Sequence, residues 1–332
     1  MQLRRTAGLS VAALSVAGLV TGPASPASAI VGGALAPQAP AGIGSLQHDH
    51  HGDPNWATCS AHALGDDGRG MTDLIVSNAH CGTVEPTTPQ IQRMSPQGRR
   101  AAWALRSAGD HDGLQPAPAD PASYAGAGLR SVPVDPATYH FVGGSVDRFH
   151  GVSVGIKQFL IPTGWAWGEP DAQGRQWDIM LAQLEHPIPV RGALIAPVVP
   201  WLPVRELGWG QDTPDPSSWH GPLRATLKQT DVPVVPDSDC ADAGIGTDEV
   251  CLGVAPDNGG TCAGDSGGGG VQRYGRVWLL VATASRGPAP HCGTVNVYTE
   301  TWPYLPWITT QIAQVEPRTR VAASRAELRA AS

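Results

Sequence analysis

No segment after residue 29 is apolar over a span that would cross a bilayer, which takes about 20 consecutive apolar residues as a helix. No two cysteines have the Cys-x-x-Cys spacing of a structural zinc site. No internal repeat is visible. Positive charge is also short: 22 Lys and Arg stand against 29 Asp and Glu, for a net charge of −7. A nucleic-acid or anionic-membrane partner would need basic patches, so that class is set aside.

What is present starts with a leader. Arg4 and Arg5 precede an apolar run from Ala7 to Val20, and Ala27-Ser28-Ala29 offers small residues for cleavage. This is the pattern of a secretory signal over 1–29, and its apolar run is too short and too broken by serine for a permanent anchor. Removal of the leader takes the net charge to −9, because it carries two arginines and no acid. The exported remainder is expected to be free of the membrane. All six cysteines follow the leader. Export and an even count favour three disulfides, with fifteen possible pairings from sequence alone.

The stretch Thr261-Cys262-Ala263-Gly264-Asp265-Ser266-Gly267-Gly268 sets a serine among glycines. Glycine there permits a sharp bend and close approach of a second molecule. A serine so placed is a candidate nucleophile if a base takes its proton; a plain glycine-rich loop is the lesser alternative. Ser77-Asn78-Ala79-His80-Cys81 supplies a histidine after the apolar Leu74-Ile75-Val76, and Trp177-Asp178-Ile179-Met180-Leu181 supplies an aspartate before another apolar run. A histidine near a disulfide is often structural and an aspartate before a strand is often a turn residue. His80, Asp178 and Ser266 nevertheless fall in one of the chain orders of a nucleophile triad.

With these motifs the sequence resembles the trypsin/chymotrypsin family of serine endopeptidases, and within it the secreted bacterial members. The resemblance also rests on Ile30-Val31-Gly32-Gly33, Gly208-Trp209-Gly210, Val297-Tyr298-Thr299 and Leu305-Pro306-Trp307-Ile308. It implies two six-stranded antiparallel β-barrels with the site between them. It implies the pairings Cys59–Cys81, Cys240–Cys251 and Cys262–Cys292, each stabilising by roughly 2–4 kcal/mol. It implies His80, Asp178 and Ser266 as catalytic residues and the backbone N–H groups of Gly264 and Ser266 as an oxyanion hole. It implies that the Ile30 amine, freed by cleavage after Ala29, pairs with Asp265. Substrate would meet Gly260, Ser285, Gly287 and Asn296. No cofactor and no metal is implied.

Several positions depart from that pattern. Gly260 stands where trypsins carry an aspartate, so a pocket for Arg or Lys is disfavoured. Asn296 stands where glycine is usual and would narrow the pocket and make it polar. A small or uncharged P1 residue is expected. Arg286 replaces the usual tryptophan, and Gly269 replaces a proline.

Along the chain, short strands between Gly- and Pro-rich turns, with 41 Gly and 31 Pro, point to an all-β fold. Residues 42–64 read as a hairpin around His48-Asp49-His50-His51-Gly52-Asp53. That cluster has metal-ligand residue types, but a solvated polar turn is the preferred reading. Residues 83–128 form a long insertion, read as surface loop with a short helix at Ala101–Leu105; a substrate lid or partner site is the sharper alternative. Trp165, Trp167 and Trp177 are expected to pack on the core. Val277 to Thr283 reads as a buried strand, and Leu305, Ile308 and Ile312 recur at helical spacing. The protease domain is therefore placed at 30–315, with a polar tail at 316–332.

The expected function is a secreted, monomeric serine endopeptidase acting on protein or peptide substrates. A non-catalytic binding protein on the same fold and a secreted esterase using the same triad are the rivals. Fluorophosphonate labelling separates the first rival, and peptide turnover the second.

Overall fold

The computed structural model describes residues 30–40, 42–50, 52–65, 70–108, 132–218, 223–288 and 292–315. The expected signal peptide at 1–29, the expected tail at 316–332 and the expected insertion from 109 onward therefore lie outside the described residues. The chain begins with a two-residue strand, β1 (Ala34–Leu35). Next come β2 (Ile43–His50), β3 (Asp53–Ala63) and β4 (Thr72–Ser77). After the insertion come β5 (Tyr139–Gly143), β6 (Val152–Leu160) and β7 (Met180–Ile188). Strands β2 to β7 close into an antiparallel barrel in the order β2-β3-β4-β7-β6-β5. Leu46, Ile75, Phe141, Val154, Ile156 and Leu184 fill it, as inward positions of period-two strands should.

The second half contributes β8 (Val204–Gly208), β9 (Lys228–Val232), β10 (Glu249–Leu252), β11 (Gly269–Tyr274), β12 (Val277–Arg286) and β13 (Asn296–Glu300). Their ladder runs β1-β9-β8-β11-β12-β13-β10, a seven-stranded sheet because β1 pairs with β9. It differs from the expected second barrel in how it closes. A lone bridge, Val234 to Leu252, joins the chain beyond β9 to β10, backed by Val235 N–H to Cys251 O at 3.0 Å and Gly253 N–H to Pro233 O at 2.8 Å. Pro233 and Pro236 have no N–H to give a regular ladder there. Val204, Val232, Leu252, Val281 and Tyr298 pack inside this sheet.

Between the halves, Val76 and Leu181 of the first meet Leu207, Trp209 and Leu280 of the second. Trp209 also donates from Nε1 to Val146 O at 3.0 Å. The terminal helix predicted from its spacing forms at Leu305–Val315 and buries Ile308 in the same cluster.

The insertion holds more structure than its composition suggests. Helix α1 (Thr88–Gln92) starts at Thr87, which forms a capping box with Gln90. Helix α2 (Pro96–Ala108) extends the expected short helix in both directions. Ala101, Ala102, Ala104 and Leu105 are buried and Trp103 is exposed, a one-sided helix packed on the body. Gln97 Nε2 donates to Ile245 O at 2.8 Å, and Arg100 Nε to Ala241 O at 3.2 Å. The described part of the insertion is thus anchored to the Cys240–Cys251 region. The terminal helix is α3.

Candidate active site

His80 sits on a 3₁₀ turn, Ala79–Gly82, that follows β4. The disulfide Cys59–Cys81 ties this turn to β3. Asp178 lies two residues before β7 and is fully buried. Strand β4 pairs with β7, with Ser77 opposite Met180, so the two loops leave the barrel side by side. His80 Nδ1 lies 2.8 Å from Asp178 Oδ2, and the His80 backbone N–H donates to Oδ1 at 3.0 Å. Ser285 Oγ donates to Oδ2 at 2.7 Å, and Asn78 Nδ2 donates to Oδ2 at 3.0 Å.

Burial alone would raise the Asp178 pKa; the His80 charge, the two His80 hydrogen bonds and the Ser285 hydroxyl outweigh it and hold the acid at about 2. An ionised carboxylate only accepts, so the proton between the pair belongs to His80 Nδ1. In a neutral imidazole that leaves Nε2 with its lone pair. Nε2 is buried and makes no hydrogen bond to a described residue, Ser266 included.

The serine segment is docked on β3, next to the Cys59 end of the disulfide that holds the histidine turn. Ser60 N–H donates to Ser266 O at 2.7 Å, and Ser60 is the neighbour of Cys59. Gly267 N–H donates to Ala284 O at 2.9 Å, and Ala284 N–H returns to Gly268 O at 2.8 Å. Gly267 has φ of 75° and faces Ser60 O and Ser77 Oγ too closely for a side chain, so this turn requires glycine. Ser266 is 6% exposed. The three disulfides are those the resemblance implies: Cys59–Cys81, Cys240–Cys251 and Cys262–Cys292. The one cluster with metal-ligand atoms among the described residues is Cys59, His80 and Cys81. Its sulfurs are joined in a disulfide, so it offers no thiolate to a metal.

Asp265 is fully buried. Oδ1 accepts from Gly210 N–H at 2.7 Å and Oδ2 from Cys262 N–H at 2.9 Å. Burial raises its pKa to about 7 against the pull of those two N–H groups. Ile30 is fully buried at φ 53°, and Val31 exchanges two 3.1 Å backbone bonds with Gly260. In the uncut chain the Ile30 nitrogen is a peptide amide, so it carries no charge to offer Asp265.

Three of the four residues expected to meet substrate cluster. A Cβ built on Gly260 would lie 3.4 Å from Asn296 Nδ2, and one on Gly287 would lie 3.0 Å from Asn296 Oδ1. Asn296 therefore spans the space between the two glycines, held by a 3.0 Å bond to Thr294 O. Ser285 directs its hydroxyl to Asp178.

Sequence reasoning missed Asn78 and Glu206, and it did not foresee which way Arg286 turns. Asn78 precedes the histidine by two and secures Asp178. Glu206 of β8 is buried beneath Gly260, with Oε2 accepting from Thr261 N–H at 3.1 Å. Burial, with the charge of Asp265 adding to it, raises the Glu206 pKa to about 8. Arg286 turns inward to an ion pair with Glu249. The only signal for Glu206 was an acid among the apolar neighbours Val204, Leu207 and Trp209.

The family model for Trypsin matches residues 154–308. That stretch contains Asp178 and Ser266 but not His80, which lies ahead of the insertion. Vitamin K-dependent protein C of Oryctolagus cuniculus is 30% identical over 157 residues, 42% of this chain and 34% of that protein. The chain spans about a third of the length of that relative. Over the matched stretch the chain is similar to trypsin-like serine protease domains, and its mostly β fold is consistent with theirs.

Proposed function

We propose that this chain is a secreted serine endopeptidase of the trypsin type, with His80, Asp178 and Ser266 as its triad. The reading rests chiefly on the His80–Asp178 pair, formed across 98 residues of sequence at 2.8 Å beside a docked Gly-Asp-Ser-Gly-Gly turn. Ser266 Oγ attacks the scissile carbonyl while His80 Nε2 takes its proton. His80 then returns that proton to the leaving amine, and Asp178 holds the tautomer and stabilises the imidazolium. The N–H groups of Gly264 and Ser266 receive the developing oxyanion. Water then releases the acyl group from Ser266 by the same steps in reverse.

The pocket reading follows from Asn296 filling the space between Gly260 and Gly287: P1 is small or uncharged. Cleavage after Ala29 frees the Ile30 amine to pair with Asp265, so export activates the enzyme. The leader, the disulfides and the acidic charge suit a secreted monomer that acts on proteins or peptides and binds neither nucleic acid nor membrane. The test is fluorophosphonate labelling and cleavage-site profiling of the secreted protein beside Ser266→Ala. Labelling and peptide cleavage lost in Ser266→Ala support the reading. A correctly processed protein that neither labels nor cleaves overturns it.

A further inference from the structure

Arg286 stands where the resemblance leads one to expect a tryptophan at the cleft, yet it is 3% exposed and faces the interior. Nη1 and Nη2 grip Glu249 Oε1 and Oε2 at 2.6 and 2.7 Å. Nε donates to Ala243 O at 2.8 Å and Nη2 also to Gly244 O at 3.1 Å. Nη1 makes one more bond, to Ser285 Oγ at 2.9 Å. That oxygen is the one whose hydrogen goes to Asp178 Oδ2.

A continuous line therefore runs Glu249–Arg286–Ser285–Asp178–His80. A hydroxyl that accepts from a guanidinium becomes a stronger donor, and the fixed fork of Arg leaves Ser285 one rotamer. The line extends outward as well. Gly244 adopts φ 65°, and a Cβ there would press on Gln97 O and Ala101 N of α2. Gln97 also holds Ile245 O. The turn that receives Arg286 is thus clamped by the insertion helix.

We infer that Arg286 is a positioning residue for the catalytic acid: it fixes the Ser285 hydroxyl on Asp178 and links that acid to the insertion through the turn at 243–245. The inference rests on the triad reading above. The charged groups facing Arg286 are Glu249 and Asp248 from the β10 segment and Asp178 from the start of β7; His80 faces Asp178 from the 3₁₀ turn.

The test uses the secreted enzyme and a peptide found by cleavage profiling. Arg286→Met is combined with Glu249→Gln, so that no unpaired charge remains buried. Thermal unfolding checks that the double variant folds. The expected result is a loss of about tenfold or more in kcat with KM within about twofold, the mark of a lost transition-state interaction. The acid limb of the kcat/KM profile moves to higher pH, because the Ser285 hydroxyl, no longer polarised and held by Arg286, takes up less of the Asp178 charge, and the acid then holds the imidazolium more tightly. The low-field proton resonance of His80 Nδ1 shifts whether or not substrate is present.

In a Ser285→Ala background the same pair of changes should add little, since the path through the hydroxyl is already cut. A folded double variant with wild-type kcat, acid limb and resonance overturns the inference. So does an equal loss with and without Ser285. A wild-type enzyme that cleaves no peptide overturns the triad reading instead, and the resonance then reads the Arg286 contact alone.

Discussion

Asn78 Nδ2 meets Asp178 twice, 2.8 Å from its main-chain oxygen and 3.0 Å from Oδ2, across 100 residues of sequence. The backbone contact pins the start of the β7 segment, and the side-chain contact pins the carboxylate. Asn78→Ala should therefore cost stability and turnover together. Losing a donor to a buried, charged acceptor typically costs about 1–3 kcal/mol. A drop in kcat at near-constant KM, with a lower unfolding midpoint, is the expected pair of results from steady-state kinetics and calorimetry.

Asp178 also gives stability a direction in pH. Its folded pKa, about 2, lies below the ordinary 3.8. The stabilisation is therefore present above the ordinary value and disappears as pH falls through about 2. Asp178→Asn should reduce this acid dependence in urea melts, and should lower peptide turnover by ~10⁴, the loss seen when the acid of such a triad is neutralised elsewhere.

The first barrel, the terminal helix and the disulfides were legible because each leaves a local or family-level mark: the apolar run Leu74-Ile75-Val76 in β4, helical spacing from Leu305, a cysteine beside His80. The second sheet's closure was not, since it depends on where Pro233 and Pro236 interrupt a ladder between segments distant in sequence. At the site, residue types named His80 and Asp178, and the fold supplied their contact. The roles of Asn78, Glu206 and Arg286 depend on which way each side chain turns. For Arg286 strand alternation misleads, because the pairing of β12 with β13 shifts register between Ala284 and Arg286. A bulge of this kind re-aims a side chain.

Glu206 and Asp265 work on stability in the opposite sense from Asp178. Their folded pKa values, about 8 and about 7, exceed the ordinary 4.5 and 3.8. The folded chain then binds more protons than the unfolded chain across that interval, so stability is full below about pH 4 and declines as pH rises toward 8. Glu206→Gln should flatten the decline. In the Ser266→Ala background, its unfolding midpoint should exceed the parent's by about 5 °C near pH 8 and match it near pH 4.

Processing after Ala29 should change the Asp265 part of that profile first, and the Glu206 part only through its coupling to Asp265. A new ammonium at Ile30, paired with Asp265, favours the ionised acid. Cleavage also frees Ile30, a β-branched residue, from a peptide-constrained φ of 53°, a conformation unfavourable to that side-chain type. A Ser266→Ala chain beginning at Ile30 should be more stable at neutral pH than one retaining residues before it. Parallel calorimetry of the two chains checks this, and equal midpoints at every pH would refute the pairing.

Asn296 offers the most direct check on specificity. Its amide fills the gap between Gly260 and Gly287, so Asn296→Gly should open the pocket without touching the triad. Shape alone is worth about 1–3 kcal/mol per methylene accommodated or refused in such pockets. The expected outcome is a rise of about tenfold or more in kcat/KM for Phe or Leu at P1 relative to Ala. Activity on the Ala substrate should change little. Glu206 lies just beyond, with Oε2 3.8 Å from a Cβ placed on Gly260. The opened pocket should therefore gain some acceptance of Lys as pH rises past about 8, where the Glu206 carboxyl ionises. Adding Glu206→Gln to Asn296→Gly should abolish that pH-dependent gain and leave the Phe and Leu gain intact, which separates the shape of the pocket from the charge beneath it.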